Sequence, residues 1–450
     1  MFVGRTQELE RLEGLYASEK SGIFVLYGRS GIGKTALIRR FLQEKSGAYY
    51  AARRVTGKEQ LLCMCREWHT TEATDVYEAL SAVYTAKKSE SKFVFVLDEF
   101  DNLLEDREAF LPGFLRFYSE HHQDGSLLVL LLSSSIHWVE NEMTGVLGNV
   151  AKLVGGFIKL KEFSFMELAG YHKNSSVRDN IYTEAILGGV PAYLAYWRET
   201  ESVEENVKRL FLAEDAPLFR EAEHYLKQGL RELSAYNSIL AALAQGKNKL
   251  NDMYEYTGFS RAKISVYLKN LMERDITEKM FSFETGANRD VQKGLYRIRE
   301  PFLRFWYRFV YPNCSAIAMG EGDRVYREKI QPYLTEFVKE AFRDVCEEYL
   351  QVLNGYQQLS YIYRNFGIWH GKNGRIDVLA SVENVAYLVG FCDCGTQVTD
   401  VDTYKEYEAV LQCAGVVPEE LYCFSMQGFT EEFRALAKER GICLVCAKDM

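Results

Sequence analysis

No apolar run in this chain exceeds the length of Leu127 to Leu132, far short of the roughly 20 residues needed to cross a bilayer. No low-complexity or charge-dominated stretch interrupts it either, which excludes a fibrous or largely disordered chain. The opening residues Met1-Phe2-Val3-Gly4-Arg5 lack the shape of a signal peptide, with no basic lead into an apolar core. The ten cysteines stand alone or in close pairs (Cys63/Cys65, Cys392/Cys394, Cys443/Cys446) without the regular four-ligand spacing of a zinc site. Reduced core thiols are therefore expected, with Cys443-Leu444-Val445-Cys446 reading as a buried strand. These absences point to a cytoplasmic protein that does not engage membranes. What is present is ample: 450 residues, 47% of them apolar, enough for three or four domains.

The most informative segment is Gly28-Arg29-Ser30-Gly31-Ile32-Gly33-Lys34-Thr35. It follows an apolar run, Ile23 to Tyr27, that reads as a buried strand, and precedes Ala36 to Leu42, which has helical spacing. In that strand–loop–helix setting, glycines let successive N–H groups converge on phosphate oxygens, and the new helix directs its positive end the same way. Gly28, Gly31, Gly33, Lys34, Thr35 and Ala36 are the candidate phosphate contacts. Lys34 would reach the terminal phosphates, and the Thr35 hydroxyl would ligate Mg²⁺. The pattern implies binding of a nucleoside triphosphate.

Two further strands belong with it. Phe93 to Leu97 ends in Asp98 and Glu99, where Asp98 suits a Mg²⁺ shell and Glu99 suits a general base for water. Leu127 to Leu132 ends in Ser133-Ser134-Ser135; Ser134 could either sense the γ-phosphate or cap the following helix.

Phe2-Val3-Gly4-Arg5 with Glu8-Leu9, the loop above, Val96-Leu97-Asp98-Glu99-Phe100-Asp101-Asn102 and the serine triplet together resemble the archaeal-type ATPase family. These are AAA-like proteins of the STAND clade of P-loop ATPases. Ile186 to Leu194 is similar to the Gly-x-Pro element of that clade's helical lid. The resemblance implies ATP with Mg²⁺ as ligands, Val3, Gly4 and Arg5 against the base, and Pro191 approaching from the lid. Without the family, Gly188-Gly189-Val190-Pro191 would read as a turn between helices. One departure stands out: Val146-Leu147-Gly148-Asn149 replaces a Leu-x-Gly-Arg segment, so Asn149 stands where an arginine is usual, with Lys152 nearby. Slow or partner-dependent hydrolysis is expected, since such a cation carries much of the rate.

From Lys161 to Arg231 the pattern is helical, a lid and connector. Tyr236 to Leu243, Leu250 to Thr257 and a helix capped by Ser260 precede a strand pair, Ile276 to Phe283 and Gly294 to Arg299. That order resembles the winged helix of the family. Arg261, Lys263 and Lys269 would face a DNA groove, with Lys279 or Arg289 on the wing. The balance from Ser234 to Arg299, 11 Lys plus Arg against 7 Asp plus Glu, permits DNA contact and equally a protein-docking module. The aromatic stretch Tyr296 to Asn313 is similar to a bridge between domains and reads as a buried helix after Pro301.

The last portion resembles PD-(D/E)XK nucleases. Asp377 supplies the first acid, but Gly390-Phe391-Cys392-Asp393 puts Phe391 and Asp393 where a glutamate and a lysine belong, and the preceding helix carries Phe342-Arg343. From residue 315 onward, 13 Lys plus Arg face 21 Asp plus Glu, so nearly all of the chain's net charge of −9 lies here. Such a surface repels phosphates, which implies an inactive site, a structural Asp377 and a face suited to a protein partner.

The expected fold class is α/β: a P-loop NTPase core (residues 1–160), a helical lid (161–231), a winged helix with aromatic bridge (232–313) and a nuclease-like α/β domain (314–450). The expected function is a slow Mg²⁺-ATP-dependent switch, compatible with an oligomer; the alternative is a DNA-binding ATPase or ATP-dependent nuclease of a defence or mobile-element system.

Overall fold

The computed structural model describes residues 3–70, 72–89, 91–123, 125–283, 294–371, 374–382 and 386–450. Phe2 and Arg289, both named above, lie outside the described residues. The chain forms two compact units, Met1–Glu162 with Val190–Ala192, and Phe163–Gly189 with Tyr193–Met450.

The first unit is built on five parallel strands: β1 (Gly22–Tyr27), β2 (Gly47–Ala51), β3 (Phe93–Asp98), β4 (Leu127–Ser133) and β5 (Val154–Lys159), in the order β2-β3-β4-β1-β5. Every residue of β3 and β4 is buried, as expected of central parallel strands covered on both faces. On one face Val94, Val96, Leu128, Leu130 and Leu132 pack with Leu37, Ile38 and Phe41 of the helix Lys34–Phe41. On the other, Phe93, Phe95 and Leu97 meet apolar side chains of the helices Gly57–Trp68, Val76–Lys87 and Arg107–His121. Because β4 lies between β1 and β3, the carboxyl ends of three strands distant in sequence come together. That is where open parallel sheets form ligand crevices.

In the second unit, the helices Phe165–Tyr171 and Val203–Phe211 begin at capping boxes, Ser164 with Glu167 and Ser202 with Glu205. Further on come the helices Leu233–Ala244, Leu250–Thr257 and Arg261–Met272, then an antiparallel pair, β6 (Thr277–Met280) and β7 (Leu295–Ile298). Ser260 caps the third helix through the Lys263 N–H, as its position predicts. Phe302, Phe305, Trp306, Tyr307 and Phe309 are all buried. Trp306 donates to the Phe219 carbonyl (2.7 Å) and Tyr307 to Asn237 (2.6 Å), so this aromatic segment is core rather than a stacking platform.

The unit closes with a mixed sheet of β8 (Gly367–Gly371), β9 (Gly374–Val382), β10 (Ala386–Asp393), β11 (Glu420–Ser425) and β12 (Cys443–Cys446), ordered β12-β11-β10-β9-β8. β10, β11 and β12 run parallel, while β9 is antiparallel to β8 and β10. The expectation of a buried Cys443–Cys446 strand needs correcting: β12 is an edge strand, Cys443 is exposed, and only Val445 and Cys446 are buried. All ten cysteines are free thiols. Among the described residues, no helix is long and apolar enough to cross a membrane.

Candidate functional site

β1 ends at Tyr27, the loop turns through glycines, and the helix Lys34–Phe41 begins at once. Gly31 and Gly33 have φ of 79° and 97°, a region that side-chain-bearing residues rarely occupy. Gly28 is needed for a second reason: a Cβ there would lie 2.5 Å from the Leu160 carbonyl oxygen. Thr35 and Ala36 are exposed in the first helical turn.

Lys34 is buried, and its Nζ donates to the carbonyls of Gly28 (2.8 Å) and Arg29 (3.2 Å) and to Ser134 Oγ (2.9 Å). Burial pulls its pKa below the usual lysine value, although the nearby carboxylates of Glu99, Asp98 and Asp101 pull the other way. Thr35 Oγ1 donates to Asp98 Oδ2 (3.3 Å), and the Glu99 N–H donates to Asp98 Oδ1 (2.9 Å). A hydroxyl beside a carboxylate is a donor set of hard oxygens that fits Mg²⁺, which commonly takes one or two protein ligands with phosphate and water. Among the described residues, no group of three or more His, Cys, Asp or Glu could hold a metal by itself.

Glu99 sits at φ 50°, left-handed for a residue that is not glycine, and its carboxylate accepts from the Ser134 hydroxyl. Ser135 Oγ takes the Trp138 N–H (3.3 Å), whereas Ser134 lies between Lys34 and Glu99. Ser133 donates to Asp101 (2.9 Å).

Arg5, buried and at φ 61°, donates to the carbonyls of Ile32 (3.1 Å) and Lys161 (2.7 Å) and to Glu8 (3.2 Å). Its guanidinium thus braces the glycine loop, while Gly4 supplies a second left-handed residue beside half-buried Val3. The Ala192 N–H donates to the Gly31 carbonyl (3.2 Å), and Pro191 Cγ lies 3.9 Å from where a Cβ on Gly33 would be. Asn149 and Lys152 are both exposed in the short helical segment Gly148–Leu153. Sequence reasoning missed one participant. Tyr49 donates its phenol to Asp98 Oδ2 at 2.6 Å, and burial together with that carboxylate pushes its pKa up, so it stays a donor. The alternation of β2 puts Tyr49 and Tyr50 on opposite faces, but nothing within the strand tells which neighbour Tyr49 will meet.

Residues 2–197 match a family model described as an ATPase domain predominantly from Archaea. The chain carries an archaeal-type ATPase domain. Residues 306–398 match a second model, described as archaeal and bacterial proteins of unknown function. An uncharacterised protein of Methanocaldococcus jannaschii is 27% identical over 391 residues, 85% of each chain. An uncharacterised ATP-binding protein of the same organism is 49% identical over 45 residues, 10% of this chain and 76% of that one. Among solved structures, a Walker-type ATPase of Pyrococcus abyssi aligns with a TM-score of 0.51 at 16% identity, over 68% of this chain and 96% of that one, a likeness of fold.

Beyond the ATPase domain, Arg261, Lys263 and Lys269 are exposed on the helix Arg261–Met272. Arg261 packs over Tyr254, Lys263 over Phe259, and Lys269 pairs with Glu273 at 3.7 Å. In the C-terminal sheet, Asp377 is buried; Arg375 donates to its Oδ1 (2.7 Å) and the Cys392 N–H to its Oδ2 (3.0 Å). Arg375 and Arg297 also donate to Glu340 (2.7 and 3.2 Å), and buried Arg343 pairs with Asp344 and Glu347. Phe391 is fully buried and stacked on Tyr407 (centroids 4.4 Å apart). Asp393 accepts from Thr399 (2.6 Å) and the Gly395 N–H (2.9 Å).

Proposed function

We propose that the protein binds Mg²⁺-ATP at the loop Gly28–Thr35, hydrolyses it slowly to ADP and phosphate, and uses the bound nucleotide as a conformational switch. The observation that carries this reading is the convergence of Lys34, Thr35, Asp98, Glu99 and Ser134 from the ends of three strands. Backbone N–H groups from Gly28 to Ala36 hold the phosphates, and the Lys34 ammonium reaches the terminal ones. Thr35 and Asp98 would hold Mg²⁺, which when bound neutralises charge on the phosphate oxygens. Glu99 accepts the proton of the attacking water, and Ser134, bonded to both Lys34 and Glu99, reports the γ-phosphate. Val3, Gly4 and Arg5 lie on the base side, and Pro191 closes from the lid.

Slow turnover follows from Asn149, which offers no cation, and from the Glu99 carboxylate being engaged by Ser134. The nucleotide acts by differential affinity for two arrangements of the helical lid (161–231), the winged helix with bridge (232–313) and the nuclease-like domain (314–450). In the last, Asp377 is held by Arg375, and the acidic surface serves a protein partner.

The test is one series of binding and turnover measurements. Wild type should bind ATP in a Mg²⁺-dependent way, and Lys34→Ala should weaken binding by about 10- to 100-fold, the value of a charge-assisted contact of about 1.5–3 kcal/mol. Glu99→Gln should keep the affinity while hydrolysis falls by about 10²- to 10⁴-fold. Equal ATP affinity in wild type and Lys34→Ala would sink the assignment.

A second reading, duplex DNA as partner, is favoured by the exposure of Arg261, Lys263 and Lys269 beside exposed Tyr254, Tyr256 and Val266. A gel shift that weakens with salt, and by roughly one phosphate contact for each of Arg261→Ala and Lys263→Ala, supports it. No shift at low salt leaves the protein-directed switch.

A further inference from the structure

Asp98 receives more hydrogen bonds than its place at a strand end requires. Its Oδ2 accepts from Thr35 and Tyr49, and its Oδ1 from the Glu99 N–H. A carboxylate has about four acceptor positions, so these donors leave one, on Oδ1.

Tyr49 reaches Asp98 through strand register. It stands opposite Val96 in the parallel β2–β3 pair, so Asp98 is its diagonal neighbour on the same face. Trp68 Nε1 donates to the Tyr49 carbonyl (3.0 Å) and fixes the backbone, while the Tyr49 ring packs against the cluster that includes Leu37 and Phe41 of the loop's helix. The phenol–carboxylate distance of 2.6 Å is that of a short, charge-assisted bond.

We propose that Tyr49 is a positioning residue for the metal site: it locks the orientation of Asp98 so that Oδ2 stays with Thr35 and the remaining position on Oδ1 faces a hydrated cation. This rests on the Mg²⁺-ATP reading of the same loop. The carboxylate on its own could turn about its last bond and swing both oxygens out of their present plane. With Tyr49 and Thr35 both on Oδ2 and a backbone N–H on Oδ1, rotation would break three hydrogen bonds at once.

The experiment measures affinity for a fluorescent mant-labelled ATP with saturating Mg²⁺ and again in EDTA, so that the Mg²⁺-dependent gain is read apart from nucleotide binding itself. Wild type, Tyr49→Phe, Asp98→Asn and the double variant are compared. Tyr49→Phe keeps the ring and removes only the hydroxyl. Its Mg²⁺-dependent gain should fall by about 10-fold, the usual cost of losing a group that orients a metal ligand, with affinity in EDTA unchanged. In the Asp98→Asn background the same change should cost nothing more, because Tyr49 acts through Asp98. A full gain in Tyr49→Phe, or an equal loss in EDTA, overturns the proposal and leaves the nucleotide reading standing. A wild type that shows no Mg²⁺-dependent gain overturns both.

Discussion

Asp98 on β3 and Asp377 on β9 are equally hidden, each 5% exposed, and each accepts a backbone N–H. Their remaining partners separate them. Asp98 accepts from neutral hydroxyls, of Thr35 and Tyr49, while the Lys34 ammonium acts on it through space without a hydrogen bond. Asp377 faces the guanidinium of Arg375, which supplies a permanent cation from within the fold and is itself shared with Glu340. Two buried carboxylates at similar depth can thus have opposite chemistry. Burial and the presence of an acid do not make a metal site; the charge of the neighbours decides.

The widest separation between the two should appear in their dependence on Mg²⁺. Asp98→Asn is expected to reduce the Mg²⁺-dependent part of ATP affinity by about 10- to 100-fold, whereas Asp377→Asn leaves it unchanged. In parallel, duplex DNA incubated with Mg²⁺ and wild type should stay intact. Cleavage that disappears in Asp377→Ala would break the comparison, because the second acid would then be working on a metal.

A smaller effect sharpens the description of the C-terminal charges. Burial tends to raise the pKa of Glu340, but the guanidiniums of Arg375, Arg304 and Arg297 outweigh it and pull the value down to about 2. A folded-state value below the ordinary 4.5 means that protonation favours the unfolded chain. This group's stabilisation is therefore complete above about pH 4.5 and disappears as the pH falls toward 2. Glu340→Gln should lower Tm near neutrality by about 2–4 °C and flatten its decline over that interval, measured by thermal denaturation across pH. Parallel profiles for variant and wild type would show that the arginines do not hold this carboxylate.

Local patterns made much of the first unit legible. The apolar runs at Ile23, Phe93 and Leu127 became adjacent parallel strands because continuous Val, Ile, Leu and Phe suit a sheet covered on both faces. The glycine loop lies where its strand and helix neighbours put it. Tyr49 was not legible, since nothing within Gly47–Ala51 says which strand will lie beside it; only the register with β3 brings its phenol to Asp98. Nor could three consecutive serines be told apart before the turn after β4 sent Ser134 toward Lys34 and Ser135 toward Trp138. Arg5 is a similar case, because its braces on Ile32 and Lys161 depend on chain segments remote in sequence. In the C-terminal sheet, the residues at 391 and 393 stood out as departures, but the arginines that neutralise the region come from β7, the helix Pro301–Phe305, β9 and the helix Gln331–Gly355. No short window of sequence contains them all.

The three residues Val190–Ala192 group with the first unit, although the chain on either side of them belongs to the second. The polypeptide therefore changes units three times, and the first unit is not a continuous stretch of sequence. A fragment ending at Glu162 would retain every strand of the parallel sheet yet lose the N–H that Ala192 donates to Gly31. Gene dissection at the obvious border would yield an incomplete article, and the smallest faithful piece has to run through Ala192, carrying the intervening helices with it.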